Sequence, residues 1–183
     1  MKKLFMILAL IAITETSFSQ DTFTLSSNLG GEATSIEEFN GFGCVGENQS
    51  PQLSWANAPE GTRSFAVTMY DPDAPTGSGW WHWVVFDIPA GVNELVSNAG
   101  NVSLNLAPEN AIQSITNYGT PGYGGPCPPE GHGLHQYVIT VYALKTDKLG
   151  LDANTNPAVV GYYLWNNTIA KASLVAYYQR EAN

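Results

Sequence analysis

Two short stretches concentrate the side chains that can bring a charge or a mobile proton into a folded site. The first is Tyr70-Asp71-Pro72-Asp73-Ala74-Pro75-Thr76-Gly77-Ser78-Gly79-Trp80-Trp81-His82-Trp83. It sets a carboxylate, Asp71, and an imidazole, His82, on either side of one loop. Strand ends joined by a single loop can share a sheet edge, so the two side chains can converge. The second runs from Gly122 to Tyr137 as GYGGPCPPEGHGLHQY. Its prolines fix φ and remove N–H donors, and its glycines let backbone approach a ligand closely. His135 stands at the mouth of the strand that follows, with Tyr137 two residues on and on the same face. Asp71, His82 and His135 give these stretches one carboxylate and two imidazoles, groups that accept and donate protons. They can also form an acid–base pair for phosphoester hydrolysis, or a two-His-one-carboxylate metal site. No HExxH motif is present, and Gly77-Ser78-Gly79 lacks the spacing of a nucleophile elbow. The catalytic readings therefore have the least support.

Each of these residues also has a plainer structural reading. Asp71 and Asp73 can cap turns, and for Asp73 that reading is preferred. His82 can be a buried structural histidine. Trp81 and Trp83 alternate with His82 and are expected to pack together on the opposite face as core. His132, between Gly131 and Gly133, reads as an exposed loop residue. Pro126, Pro128 and Pro129 can simply make a rigid turn.

The elements that must position these groups are mostly strands. Arg63 to Tyr70 alternates, with Phe65, Val67 and Met69 on one face. His82 to Ile88 is a nearly continuous apolar run, the pattern of a strand covered on both faces. Gln136 to Leu144 is dense in β-branched and aromatic residues. Leu53 to Trp55 and Thr22 to Ser26 read as short strands, and Val96 to Ala107 as loop with a short strand near Val102–Leu104. Asn156-Pro157 is an N-cap followed by an N1 proline. A helix is expected from Ala158 to about Lys171, including Ile169, followed by a strand from Ala172 to Gln179. Short strands between Gly/Pro-rich loops point to an antiparallel sandwich.

Length and composition narrow the classes further. The chain has 183 residues, 44% of them hydrophobic and 13% charged, which excludes a disordered chain and a coiled coil. The net charge is −9. Residues 1–19 read as a secretory signal peptide: Lys2 and Lys3, an apolar run from Leu4 to Ile13, then Ser17-Phe18-Ser19 before the cut. Residues 20–183 then form a single domain with no integral membrane segment, destined for the periplasm or the medium. Only five Lys and Arg remain in it, too few for a nucleic-acid-binding face. In that oxidising compartment Cys44 and Cys127 are expected to form a disulfide, closing a loop of about 83 residues. The alternative is two separate buried thiols. No cofactor is implied.

Taken together, FNGFGC from Phe39, NQSP from Asn48, YDPDAP from Tyr70, WWHWVV from Trp80 and GYGGPCPPEGHGLHQY from Gly122 give the chain a resemblance to a known family. The sequence resembles the phosphatidylethanolamine-binding protein family, in its bacterial Raf-kinase-inhibitor-like branch, over nearly the whole of residues 20–183. The resemblance implies a mainly β fold, an antiparallel β-sandwich with a short helix near the C-terminus and an anion pocket at one sheet edge. It also implies that Asp71, Trp80, His82, Pro128, Pro129, His135 and Tyr137 line that pocket. One departure stands out: Gln136 occupies a position that is basic in many members.

The function expected on this basis is non-enzymatic binding of a small anion or phosphorylated head group. Two imidazoles are expected to donate to the anion, with affinity rising as pH falls through the histidine range and Asp71 orienting His82 or holding it charged. Trp80 is expected to wall the site. The alternative is an extracytoplasmic inhibitor or interaction module acting on a protease or a host protein. A phosphoester hydrolase or metal enzyme ranks third.

Overall fold

A computed structural model describes residues 22–182. The expected signal peptide lies outside the described residues. Strands are β1 (Thr24–Ser27), β2 (Asn40–Gly41), β3 (Cys44–Val45), β4 (Leu53–Ala56), β5 (Ser64–Asp71), β6 (Trp80–Pro89), β7 (Glu94–Leu95), β8 (Ile112–Gln113), β9 (His135–Leu144) and β10 (Thr168–Tyr178). One α-helix, α1 (Pro157–Asn167), precedes β10. The main sheet has the order β10-β9-β5-β6-β8, with antiparallel pairing throughout. A smaller antiparallel sheet, β1-β4-β7, packs across it, and β2-β3 form a separate hairpin. The described residues form a mainly β fold of antiparallel sheets with one short helix near the C-terminus.

Two apolar layers hold these elements. Between the sheets, Leu53, Trp55 and Leu95 of the small sheet meet Phe65, Val67, Met69, Trp83, Val85, Ile139 and Val141 of the large one. On the outer face of the large sheet, Val160 and Leu164 of α1 cover Ala66, Val84, Phe86 and Leu144. This double coverage is why β5 and most of β6 are buried on both faces and lack a polar side.

Three local expectations fail, each for a definable reason. The helix ends at Asn167, so Ile169 and Lys171 belong to β10. Its N-terminus forms as expected, with Asn156 Oδ1 accepting from Ala158 N at 2.9 Å. At the other end, both the N–H and the hydroxyl of Thr168 reach the Leu164 carbonyl, and Thr168 already pairs with Leu144 of β9. Sheet pairing thus begins at Thr168, four residues before the expected strand start at Ala172. Val102–Leu104 is a 3-10 turn, closed by Asn101 accepting from Ser103 N and by Asn105 at φ 51°.

Trp81 and Trp83 do not share a face. In the β5–β6 ladder, Met69 pairs with Trp83 but Tyr70 pairs with Trp81, leaving His82 as an extra, bulged residue. The bulge breaks the alternation. Trp83 enters the inter-sheet core, whereas Trp81 packs on the α1 side.

Candidate functional site

Asp71 ends β5, Trp80 begins β6 and His135 begins β9, so the three neighbouring central strands bring their chemistry to one end of the large sheet. A pocket of about 180 Å³ opens there. All seven residues singled out in the sequence line it: Asp71, Trp80, His82, Pro128, Pro129, His135 and Tyr137. Sequence reasoning missed Phe42, Thr76 and Tyr118, which also line it. Tyr118 comes from a turn with no periodic pattern, and only the Gly and Pro around an aromatic there could have marked it.

The disulfide borders the pocket through Cys127. Cys44 and Cys127 are joined, so the expected bridge is present. It ties the β2–β3 hairpin to the proline loop, and both Phe42 and Cys127 face the pocket. Phe42 stacks on Tyr118 with ring centroids 5.6 Å apart.

The bulge directs His82 to this end of the sandwich, where its ring packs edge-on against Tyr137 at 5.0 Å. Its Nδ1 lies 2.7 Å from the Gly124 carbonyl and 3.1 Å from that of Gly125. Carbonyls only accept, so Nδ1 carries the proton. The loop holding these carbonyls is itself pinned. Gly124 N donates to His82 O at 2.9 Å, Gly125 N to Asn48 Oδ1 at 2.8 Å, and the Tyr118 hydroxyl to Gly125 O at 2.8 Å. Burial is the main influence on His82 and lowers its pKa from 6.5 to about 4. The imidazole is therefore neutral at physiological pH, with its Nε2 lone pair on the edge away from the two carbonyls.

Asp71 holds His135, not His82 as expected. Its Oδ2 accepts from His135 Nδ1 at 2.7 Å. Its Oδ1 accepts from the backbone N–H of Asp73 at 2.8 Å and of Ala74 at 3.1 Å. His135 Nε2 is in turn 2.7 Å from Nδ1 of His132. His132 is exposed, as expected, but it is also the outer end of a buried Asp–His–His chain. Both ring nitrogens of His135 are therefore already engaged, one by Asp71 and the other by His132.

The arrangement differs from two imidazoles pointing N–H groups at an anion. The pocket's free donor is instead the Tyr137 hydroxyl, because the Trp80 indole N–H interacts with the Tyr118 hydroxyl. The Tyr137 hydroxyl is buried and closes no hydrogen bond among the described residues. Burial pushes the Tyr137 pKa far above its usual value, so this hydroxyl keeps its proton. Pro128, Pro129 and Phe42 supply apolar wall. Among the described residues no three His, Cys, Asp or Glu side chains are grouped to hold a metal ion.

Comparisons with known proteins agree with the fold. A family model described as phosphatidylethanolamine-binding protein matches residues 26–179. The chain is 49% identical to the UPF0098 protein YbcL of Escherichia coli over 160 residues, covering 86% of this chain and 87% of that protein. It is 45% identical to the UPF0098 protein YbhB of the same organism, covering 75% and 86%. The crystal structure of E. coli YbcL, described as a new member of the mammalian PEBP family, superposes with a TM-score of 0.85 at 48% identity. That match covers 87% of this chain and 99% of the YbcL chain.

Proposed function

The chain belongs to the phosphatidylethanolamine-binding protein family, and on that premise we propose that it is a non-enzymatic binding protein for a small anion or phosphorylated head group. It takes this ligand in the pocket between Asp71, His82, His135 and Tyr137. The observation that carries the reading is the buried Tyr137 hydroxyl, a permanent donor without a partner among the described residues, on a side chain that lines the pocket. An unsatisfied buried polar group costs about 1 to 3 kcal/mol, and an oxyanion that accepts from it recovers that cost. Asp71 is too heavily engaged to meet the ligand. Three N–H groups hold its carboxylate, and its role is to fix the ring and tautomer of His135.

The protein acts outside the cytoplasm on this reading. The apolar run that follows Lys2 and Lys3 has the form of an export signal, and the Cys44–Cys127 bridge suits an oxidising compartment. No helix among the described residues is long and apolar enough to cross a membrane.

Titration with inorganic phosphate and phosphoethanolamine, followed by tryptophan fluorescence at pH 6 and pH 8, tests the assignment. Trp80 on the pocket wall makes the signal local. Saturable binding is expected, tighter for phosphoethanolamine at pH 6, and lost in a His82→Ala/His135→Ala variant that still folds. No saturable change with either ligand, with calorimetry equally silent, would refute the anion site.

A further inference from the structure

The hydrogen-bonding character of the pocket is fixed before any ligand arrives. His82 Nδ1 is committed as a donor to the carbonyls of Gly124 and Gly125, so its Nε2 is an acceptor. The ring lines the pocket, and no described group donates to Nε2. The pocket therefore presents one donor, Tyr137 O–H, and one acceptor, His82 Nε2. A fully deprotonated oxyanion satisfies the donor but sets its own lone pairs against Nε2. An anion that carries one acidic proton satisfies both.

Resting on the anion-binding reading above, we infer that the pocket selects oxyanions bearing a proton, namely inorganic phosphate and phosphate monoesters, over sulfate and phosphodiesters, and that His82 Nε2 is the discriminating atom. Sulfate and a diester are both without a transferable proton at neutral pH. A monoester keeps one P–OH in its monoanion, whose remaining proton leaves near pH 6. The favoured ligand is thus a free phosphorylated head group or phosphate itself. The same head group esterified a second time, as within an intact phospholipid, is disfavoured.

The other route to a proton-free anion is to protonate His82. Burial resists this by holding the imidazole at about 4. The groups facing it are Asp71 and His135, with the rings of Tyr118 and Tyr137 packed edge-on against it. The Asp71 charge opposes the effect of burial but does not overcome it. At pH 7 protonation lies about three pH units away, which sets a ceiling on the discrimination of about a thousandfold for inorganic phosphate and about a hundredfold for a monoester, whose own lost proton must be restored at about tenfold cost.

The test is calorimetry on the mature protein with four probes at pH 7: inorganic phosphate, phosphoethanolamine, sulfate and glycerophosphoethanolamine. Sulfate and the diester are expected to bind about 10- to 100-fold more weakly than phosphoethanolamine. In His82→Gln, whose amide can turn either a donor or an acceptor to the ligand, the ratio is expected to fall to within about threefold. A second measurement uses wild type alone, in buffers of different ionisation enthalpy at pH 8. Phosphoethanolamine, by then mostly dianion, is expected to take up about one proton on binding, and inorganic phosphate, which still carries one, none. Equal affinity for sulfate and phosphate, full discrimination in His82→Gln, or absence of proton uptake would each overturn the inference while leaving the anion site in place. Failure of all four probes to bind would instead remove the anion-binding reading on which it rests.

Discussion

The neutral state of His82 can be measured without any ligand, because a buried base that resists protonation makes folding stability depend on pH. Its ordinary value is 6.5 and its folded value about 4. Above pH 6.5 the ring is neutral in both folded and unfolded chains, and its contribution is fully present. As pH falls toward 4 the unfolded chain takes up a proton that the folded chain refuses, so stability is lost. At pH 4.5 the gap between the two values is worth about 2 to 3 kcal/mol. Carboxylates titrate in the same window and also change stability, so the prediction concerns a difference between two proteins. His82→Asn keeps an N–H near the position of Nδ1, able to reach the Gly124 carbonyl, and has no group that titrates. Urea unfolding of wild type and variant at pH 7 and pH 4.5 gives four free energies. The variant is expected to be less stable at pH 7, because it leaves unfilled volume between Tyr137 and Tyr118. It is also expected to lose about 2 to 3 kcal/mol less than wild type on acidification. Equal losses in the two proteins would show that the folded state accepts the proton readily. The acceptor role of Nε2 would then fall with it.

Two further substitutions test the supports of the pocket. Gly125→Ala would place a Cβ 1.8 Å from the Glu37 carbonyl oxygen and 2.9 Å from backbone carbon of Glu38. The loop must then move, taking with it the carbonyl that holds His82 and Tyr118. Overpacking of this kind costs about 1 to 3 kcal/mol or more, read as a lower urea midpoint, together with weaker phosphate binding. A variant within about 0.5 kcal/mol of wild type would contradict the packing described. Replacing both cysteines by serine releases a crosslink spanning 83 residues and is expected to cost about 4 to 5 kcal/mol in the chain-entropy model. A loss below about 1 kcal/mol by guanidinium unfolding would show that the hairpin carrying Phe42 is held by other contacts.

The parts of this protein legible in its sequence are those set by local pattern. The apolar runs that became β5, β6 and β9 read as strands because each is buried on one or both faces. Asn156 and Pro157 started the helix where their chemistry placed it. Its end was not legible, because the capping of Thr168 competes with pairing to a strand more than twenty residues away. The residues of the pocket were legible as types, since Asp, His and Tyr stand out at the edges of apolar strands. Their partners were not. Asp71 is closer in sequence to His82, across one loop, yet the ring within reach of its carboxylate is His135, sixty-four residues on, because β9 is the other neighbour of β5.

The sign of the chemistry was the least legible feature. Histidine composition says only that an imidazole is present; whether it gives or takes a hydrogen bond depends on what faces its other nitrogen. For His82 that neighbour is backbone, the carbonyls of Gly124 and Gly125, which no side-chain pattern reveals. These glycines read in sequence as room for a ligand to approach the chain. In the structure a Cβ on Gly124 would meet the Tyr118 ring at 2.3 Å, and one on Gly125 would meet the Glu37 backbone. Their smallness admits the protein's own packing, which brings two carbonyls onto one edge of His82 and leaves an acceptor on the other. A site built this way selects its ligand by where the ligand's proton sits. Glycine is thus required two residues before Pro126 for the same reason that His82 must be bulged out of register: each aims one face of a single imidazole.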